Sequence, residues 1–520
     1  MTARVQTAVD VARNAVALMF STVASAALGM LFWIVGARLY DVGEVGRASA
    51  AVSAITLLGG LAQLSLHSVF IRFLPTAGEA TGRFLGLSYL ASGSVAVLLA
   101  VGFFVFVPSA GFLPAGPLAL GGFCLAVVAA TFSALQDSVL TALRRTTWVP
   151  VENIAISLGK LGLLPMLASG AVLVPLLIAW GVPIVVAVLV LSVAIFGRLV
   201  PVQARRLRRR QALPTQRELL TFMSAQNLTG ILSNLTLYLP PLLVTLVLGP
   251  DRTGLFYVPW LIGTALLALA WNVLVSLVVE ASTDASRIRT QLRQAFRLLV
   301  LVTVGGGAVL AAGAPLILAV LGARYAGGAD ALRLIGLGLP FGVVGTLFTV
   351  TEYMAKRAWG LFYAQLATTV LFLGGAYVAM ARLGYGIEGA AGAFLGSEAV
   401  MAVVLLPVTV RRLRELVRTS ELATVTAVLA PLPVRGVATV PRLRPGYDAG
   451  PVQVIFVPAE VIDWERLGQV ETVLIDRYTG PGTGAGPDGQ WRSDMTLPLR
   501  RMSASDSTVL FPKPTDPAES

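Results

Sequence analysis

Cysteine, histidine and lysine are almost missing from this sequence. Its 520 residues include one cysteine, Cys124, so no intramolecular disulfide can form. The single histidine, His67, excludes a multi-histidine metal site, and no other metal or cofactor set is apparent. Charge of either sign is scarce, at 13% of residues against 56% hydrophobic, with a mean hydropathy of +0.80. A soluble chain of this length needs far more charge to cover its surface. No GxxxxGK[ST] sequence occurs, which excludes an intrinsic ATPase of that type. The short outer loops leave no room for an extracytoplasmic catalytic site, and no enzymatic activity is expected. No selectivity-filter-like repeat suggests a channel.

What the sequence has in abundance is long apolar runs. About twelve recur between Asn14 and Thr409, each able to cross a bilayer core of roughly 30 Å. The expected spans are 14–37, 48–70, 84–107, 117–142, 148–168, 172–196, 219–248, 254–279, 297–321, 331–353, 359–381 and 387–409. The first carries Arg4 and Arg13 ahead of it but has no convincing cleavage site, so it reads as a retained span. The net charge of +12 does not imply a nucleic-acid partner, because the cations sit at the ends of apolar runs. Arg72 and Arg83, Arg144 and Arg145, the cluster from Arg198 to Arg217, Lys356 and Arg357, and Arg411 to Arg418 all fall on one side. That bias predicts cytoplasmic N and C termini and an even number of spans.

The chain reads as two six-span halves, residues 1–210 and 211–418, followed by a cytoplasmic tail at 419–520. Each half closes on an arginine-rich segment, GRLVPVQARRLRRR and VTVRRLRELVR. Each has a similar outer corner, LYDVGEVG and VLGPDRTG, and the connections ALRRTTW and MAKRAW match about 211 residues apart. An even count per half makes these parallel repeats. In the tail, the stretch from Val452 to Tyr478 could make a strand and a short helix, whereas GPGTGAGPDG and FPKPTDPAES read as disordered.

Ionisable side chains within spans are functional candidates by default. Glu398 is the deepest, about eleven residues from either end of the last span. It suits binding of a proton or sodium ion or contact with a substrate, unless it is neutralised within the bundle. Lys160, some twelve residues into the fifth span, suits an anionic group if it faces a cavity and snorkels outward if it does not. Arg72, Arg144 and Arg145 are divided between topology and recognition, and His67 reads as a satisfied helix-end residue. Arg38 is explained by pairing with Asp41 or Glu44 nearby. Among the amides, Gln63, Asn153, Gln226, Asn227, Asn234, Asn272 and Gln365 suit helix–helix hydrogen bonding or substrate contact. Asn227 and Asn234 share a face of the seventh span, ahead of a Pro240–Pro241 pair that predicts a kink.

The opening segment from Arg13 to Pro75 closely resembles bacterial polysaccharide-export flippases of the multidrug/oligosaccharidyl-lipid/polysaccharide exporter superfamily. The resemblance lies in its Asn-led first span, ARLY corner with a following VG, and second span ending in IRFLP. YLPPLLVTLVLGPDRTGLFYV looks like the same family's seventh-span exit, and the resemblance covers roughly residues 10–415. It implies an all-α, MATE-like fold of two six-helix bundles around a central cavity, working by alternating access. The implied cargo is a polyprenyl-diphosphate-linked oligosaccharide flipped between leaflets of the bacterial plasma membrane. Lys160 and Arg72 are then the expected partners of its diphosphate. Glu398 is the ion-coupling candidate, with Asn227, Asn234 and Asn272 lining the cavity. Besides the lipid-linked oligosaccharide and membrane lipids, polysaccharide assembly enzymes are potential partners of the tail.

A cation-coupled drug exporter of the same superfamily is the competing reading. Acidic cation-site residues in the first-half spans would favour it, but those spans are short of carboxylates away from helix ends, with Asp137 and Glu152 near the cytoplasmic face, which favours the flippase. A membrane scaffold for polysaccharide assembly is the third. The loop PTAGEATGR lacks the acidic-basic signature of major-facilitator transporters.

Overall fold

The computed structural model describes residues 27–107, 113–114, 116–168, 174–206, 225–283, 288–355 and 357–429, with short strands at 436–440, 452–456, 472–473 and 508–509. The chain divides into two compact units, Met1–Leu274 with Phe296–Thr409, and Val275–Ala295 with Val410–Ser520. In the first unit all the described regular structure is helical, and it holds the first half of the repeat and most of the second. In the second, Gly436–Val440 pairs antiparallel with Val452–Phe456, the start of the segment expected to form a strand. The glycine- and proline-rich stretches of the tail lie outside the described residues.

Among the described residues, eleven helices are long and apolar enough to cross a membrane, and a shorter apolar helix, α1 (Ala27–Leu39), precedes them. They correspond to the expected twelve spans, with α1 the described part of the first. The first half continues through α2 (Val42–Ala62), α3 (Leu66–Phe73), α4 (Thr81–Phe106), α5 (Pro117–Ala142), α6 (Trp148–Ala168), α7 (Pro175–Ala194) and α8 (Val200–Arg206). The second half comprises α9 (Ala225–Leu248), α10 (Pro250–Thr283), α11 (Ile288–Val300), α12 (Gly306–Ala319), α13 (Ala329–Met354), α14 (Ala358–Ala381) and α15 (Gly386–Leu429). Single π-helical turns at Ile195–Leu199 and Leu301–Gly305 join α7 to α8 and α11 to α12.

Two expectations about length need correction. The second span does not run unbroken from 48 to 70. It starts at Val42 and stops at Ala62, because Leu64 and Ser65 adopt left-handed backbone with φ of 49° and 56°. That region is costly for residues with a β-carbon. The last helix, conversely, runs past residue 409 to Leu429, since nothing in VRRLRELVR breaks a helix.

Lipid tails are as apolar as leucine, so span-to-span association rests on close packing and buried hydrogen bonds, with small residues at the contacts. This is why α2 is the central helix of the unit: 78% of its most apolar window is buried, against 22% for α4. Its Ala50, Ala51, Ala54 and Ile55 pack with Ala96 and Ala100 of α4, Phe123 and Val127 of α5, and Leu242 of α9. Gly59 lets the α5 backbone approach, with Thr131 N only 3.4 Å from the position of an added β-carbon. In the second half a like contact joins α12 to α13, where a β-carbon on Gly336 would stand 2.8 Å from the Gly307 carbonyl oxygen. Trp260 anchors α10 in that half. Its ring lies 5.5 Å from both Phe372 and Phe394, and its indole N–H donates to the Leu237 carbonyl at 2.9 Å.

Candidate functional site

The two repeated corners meet. Val42 and Gly46 of the first half correspond to Pro250 and Gly254 of the second, 208 positions apart in each case. Gly46 lies directly under the Pro250 carbonyl, and Gly254 directly under the Val42 carbonyl. A β-carbon at Gly46 would fall 2.7 Å from Pro250 C and 2.9 Å from Gly254 N, so only glycine fits at this crossing. The same end of the unit carries polar links between the halves. Asp41 pairs with Arg324 at 2.7 Å, and Arg38 donates through Nε to the Val320 carbonyl at 2.7 Å. Arg38 is therefore not paired with Asp41 or Glu44: a carbonyl and a cation of the other half take those partners instead. Beneath them Trp33 packs edge-on against Tyr257 with ring centroids 4.6 Å apart.

Along α2 and α9 the contact continues inward to Asn234, whose side-chain amide abuts Gly60. Two residues on, about half a turn around α9, Thr236 forms a hydroxyl pair with Thr369 of α14 at 2.8 Å, and the Gln365 amide donates to Thr236 at 3.2 Å. Asn234 therefore faces α2, while Thr236 and Gln365 link the opposite face of α9 to α14. The α9 helix continues through Pro240 and Pro241 to Leu248.

The charged candidates lie in separate places. Lys160 sits in the first half with its ammonium 4.5 Å from the Trp180 ring centre, a cation–π pair that replaces the missing counter-charge. Glu398 lies in the second half, its carboxylate against Gly342 of α13, where the absent side chain leaves room for it. Arg72 is exposed, its guanidinium 5.4 Å from the Phe73 ring centre. Asn272 is exposed on α10, and the side chain of Asn227 lies outside the described residues. His67 is within 2.5 Å of the Ser138 hydroxyl.

A further group emerges in the first half. Asp137 near the end of α5 and Glu152 near the start of α6 face each other closely enough for their charges to interact. The two stand about equally far from the Arg144–Arg145 turn, so the helical hairpin brings them to one depth. The Asn153 amide is directed at Asp137, and the Tyr89 hydroxyl of α4 lies within electrostatic range of Glu152. Neighbouring Gln136 is fully buried and donates to the Val188 carbonyl at 3.0 Å and the Ser192 hydroxyl at 2.9 Å.

This helical architecture has solved counterparts. An inward-facing multidrug resistance MATE family transporter of the MOP superfamily superposes with a TM-score of 0.52 at 18% identity, covering 76% of this chain and 96% of that one. The fold is that of MATE transporters. An outward-facing conformation of such a transporter gives the same TM-score at 14% identity, with 78% and 96% covered. A MATE in complex with MaL6 gives 0.53 at 16%, again over 78% and 96%. No family model and no curated protein matches the sequence. The inward- and outward-facing MATE structures superpose equally well, so the overall fold carries no preference between those two states.

Proposed function

We propose that this chain is an alternating-access transporter of the bacterial plasma membrane, with cytoplasmic termini. Its proposed cargo is a polyprenyl-diphosphate-linked oligosaccharide, moved from the inner to the outer leaflet for cell-surface polysaccharide biosynthesis. The observation that carries the transport reading is the reciprocal crossing of Gly46 and Gly254, reinforced by the Asp41–Arg324 pair. Two repeats held together at one end by the same small element form a joint that closes one access route. In the MATE fold such a joint suits a pair of states in which the halves exchange contacts. The cargo assignment draws on the resemblance of the opening segment to polysaccharide-export flippases. Lys160 and Arg72 remain its proposed diphosphate partners.

A second reading, cation-coupled drug export, is favoured by Glu152, buried within the first half, and by the half-buried Asp137. The test is a deletion strain of the native host, assayed for lipid-linked oligosaccharide by leaflet together with surface polysaccharide. Accumulation in the inner leaflet with loss of surface polymer is the expected result. Unchanged glycans with increased sensitivity to cationic drugs would replace the flippase reading with the exporter.

A further inference from the structure

Pro240 and Pro241 lie inside α9, and neither has a backbone N–H. In an unbroken helix the amide of residue 241 serves the carbonyl of Leu237, four positions back. Proline there withdraws the donor within a span, where no water replaces it and a bare carbonyl is costly. The carbonyl that Trp260 of α10 takes at 2.9 Å through its indole N–H is this one. The donor is fixed in place, because the Trp260 side chain is buried with its ring 5.9 Å from Phe256 and 5.5 Å from both Phe372 and Phe394.

A second tie lies beyond the prolines. The Thr245 and Thr253 hydroxyls pair at 2.8 Å, each four positions from Gly249 at the turn between α9 and α10. Leu237 and Trp260 stand twelve and eleven positions from the same glycine. Two polar ties of one helical hairpin thus bracket the proline pair. The first half has neither part. The residues 208 positions before Pro240, Pro241 and Trp260 are Phe32, Trp33 and Val52, so the prolines and their donor are present together in one repeat and absent together from the other.

We propose that Trp260 is a positioning residue for transport. By filling the carbonyl that Pro241 leaves open, it fixes the angle of α9 at the proline pair. The arm of α9 before the prolines, residues 225–239, holds Asn234 against Gly60 of α2 and Thr236 against Thr369 of α14. The arm after them is tied to α10 through Thr245. A bend at the prolines moves the first arm along α2, and the Trp260 bond resists that bend. The consequence for cargo rests on the transport reading above, whereas the restraint on α9 is measured without cargo.

The test replaces Trp260 with β-(3-benzothienyl)alanine, which keeps the shape of the indole but carries sulfur in place of the N–H. Spin labels at Leu228 and Leu269, in a Cys124→Ser background, report the spacing of α9 and α10 before the prolines. Both positions are exposed and stand 21 and 20 positions from Gly249. Labels at the exposed Leu246 and Arg252, beyond the prolines, are the control pair. Loss of one neutral hydrogen bond should raise a minor Leu228–Leu269 distance population by about two- to tenfold and leave the control pair unchanged. Restoring the N–H with 7-azatryptophan at the same position should reverse the shift. In the deletion strain, Trp260→Phe should lower transport several-fold at an unchanged level of protein in the membrane. An unchanged Leu228–Leu269 distribution in the benzothienyl protein overturns the proposal, and so does full transport by Trp260→Phe. If the distribution shifts but the wild-type chain moves no lipid-linked oligosaccharide, the transport reading fails and the restraint on α9 stands.

Discussion

Substituting Gly46 with alanine is the sharpest probe of the joint between the halves. The added methyl group would fall onto the Pro250 carbonyl oxygen and lie 2.7 Å from Pro250 C and 2.9 Å from Gly254 N, well inside the 3.4 Å at which ordinary contact begins. The obstacle is backbone, so no rotamer change relieves it, and the α2–α10 crossing must widen. Overpacking of this kind costs about 1–3 kcal/mol. The cost falls only on the state in which the corners touch. If the transport cycle includes a state in which they separate, the equilibrium shifts toward it by roughly 5–150-fold. Cys124 is the only native cysteine, so Cys124→Ser gives a clean background for spin labels at Arg47 and Arg252, exposed positions beside the two corners. Electron–electron resonance on Gly46→Ala should show a longer inter-label distance at the expense of the short one. Gly254→Ala, which forces a methyl group onto the Val42 carbonyl, should move the distribution in the same direction. An unchanged distribution in both folded variants would refute the idea that this crossing is a joint that opens.

Two further outcomes are expected. Lys160→Ala and Glu398→Ala should each abolish transport in the leaflet assay while leaving membrane insertion intact, and normal transport in both would remove them from the site. Gln136→Leu deletes two buried donations, to Val188 and Ser192, and should destabilise the first half by about 1–3 kcal/mol, read as a lowered unfolding midpoint of the purified protein. An unchanged midpoint would mean that those bonds contribute nothing net.

The helical architecture was legible because an apolar run long enough to cross a bilayer leaves the backbone no alternative to a helix. The repeat was legible for a related reason. LYDVGEVG and VLGPDRTG keep the same glycine at the same place, and the structure shows why, since each lies under the other's partner carbonyl. The break after Ala62 was not legible. It falls at Gln63–Leu64–Ser65, with no glycine or proline to mark it, and the left-handed turn is imposed by packing. Nor was the partner of Lys160 readable, because cation–π contact with Trp180 joins residues on adjacent helices whose facing sides the sequence does not state. Asp137 and Glu152 were visible as carboxylates but were set aside as helix-end residues. Their symmetric placement about Arg144–Arg145 was the available signal, since an antiparallel hairpin puts residues equidistant from its turn at one depth. Tyr89 carried no signal at all, for it is one aromatic among many until α4 is placed against α5, where its ring meets Phe132.

The corner crossing behaves in one respect like a homodimer interface carried within a single polypeptide. In a two-fold dimer, residue i of one copy touches residue j of the other, and j touches i, so one patch is complementary to itself. Val42 with Gly254 and Pro250 with Gly46 satisfy that relation, although the two surfaces are now encoded separately. Most of the two halves is free to diverge, because their outer faces meet different neighbours. These four positions are not, since a change on one side must be met by the other.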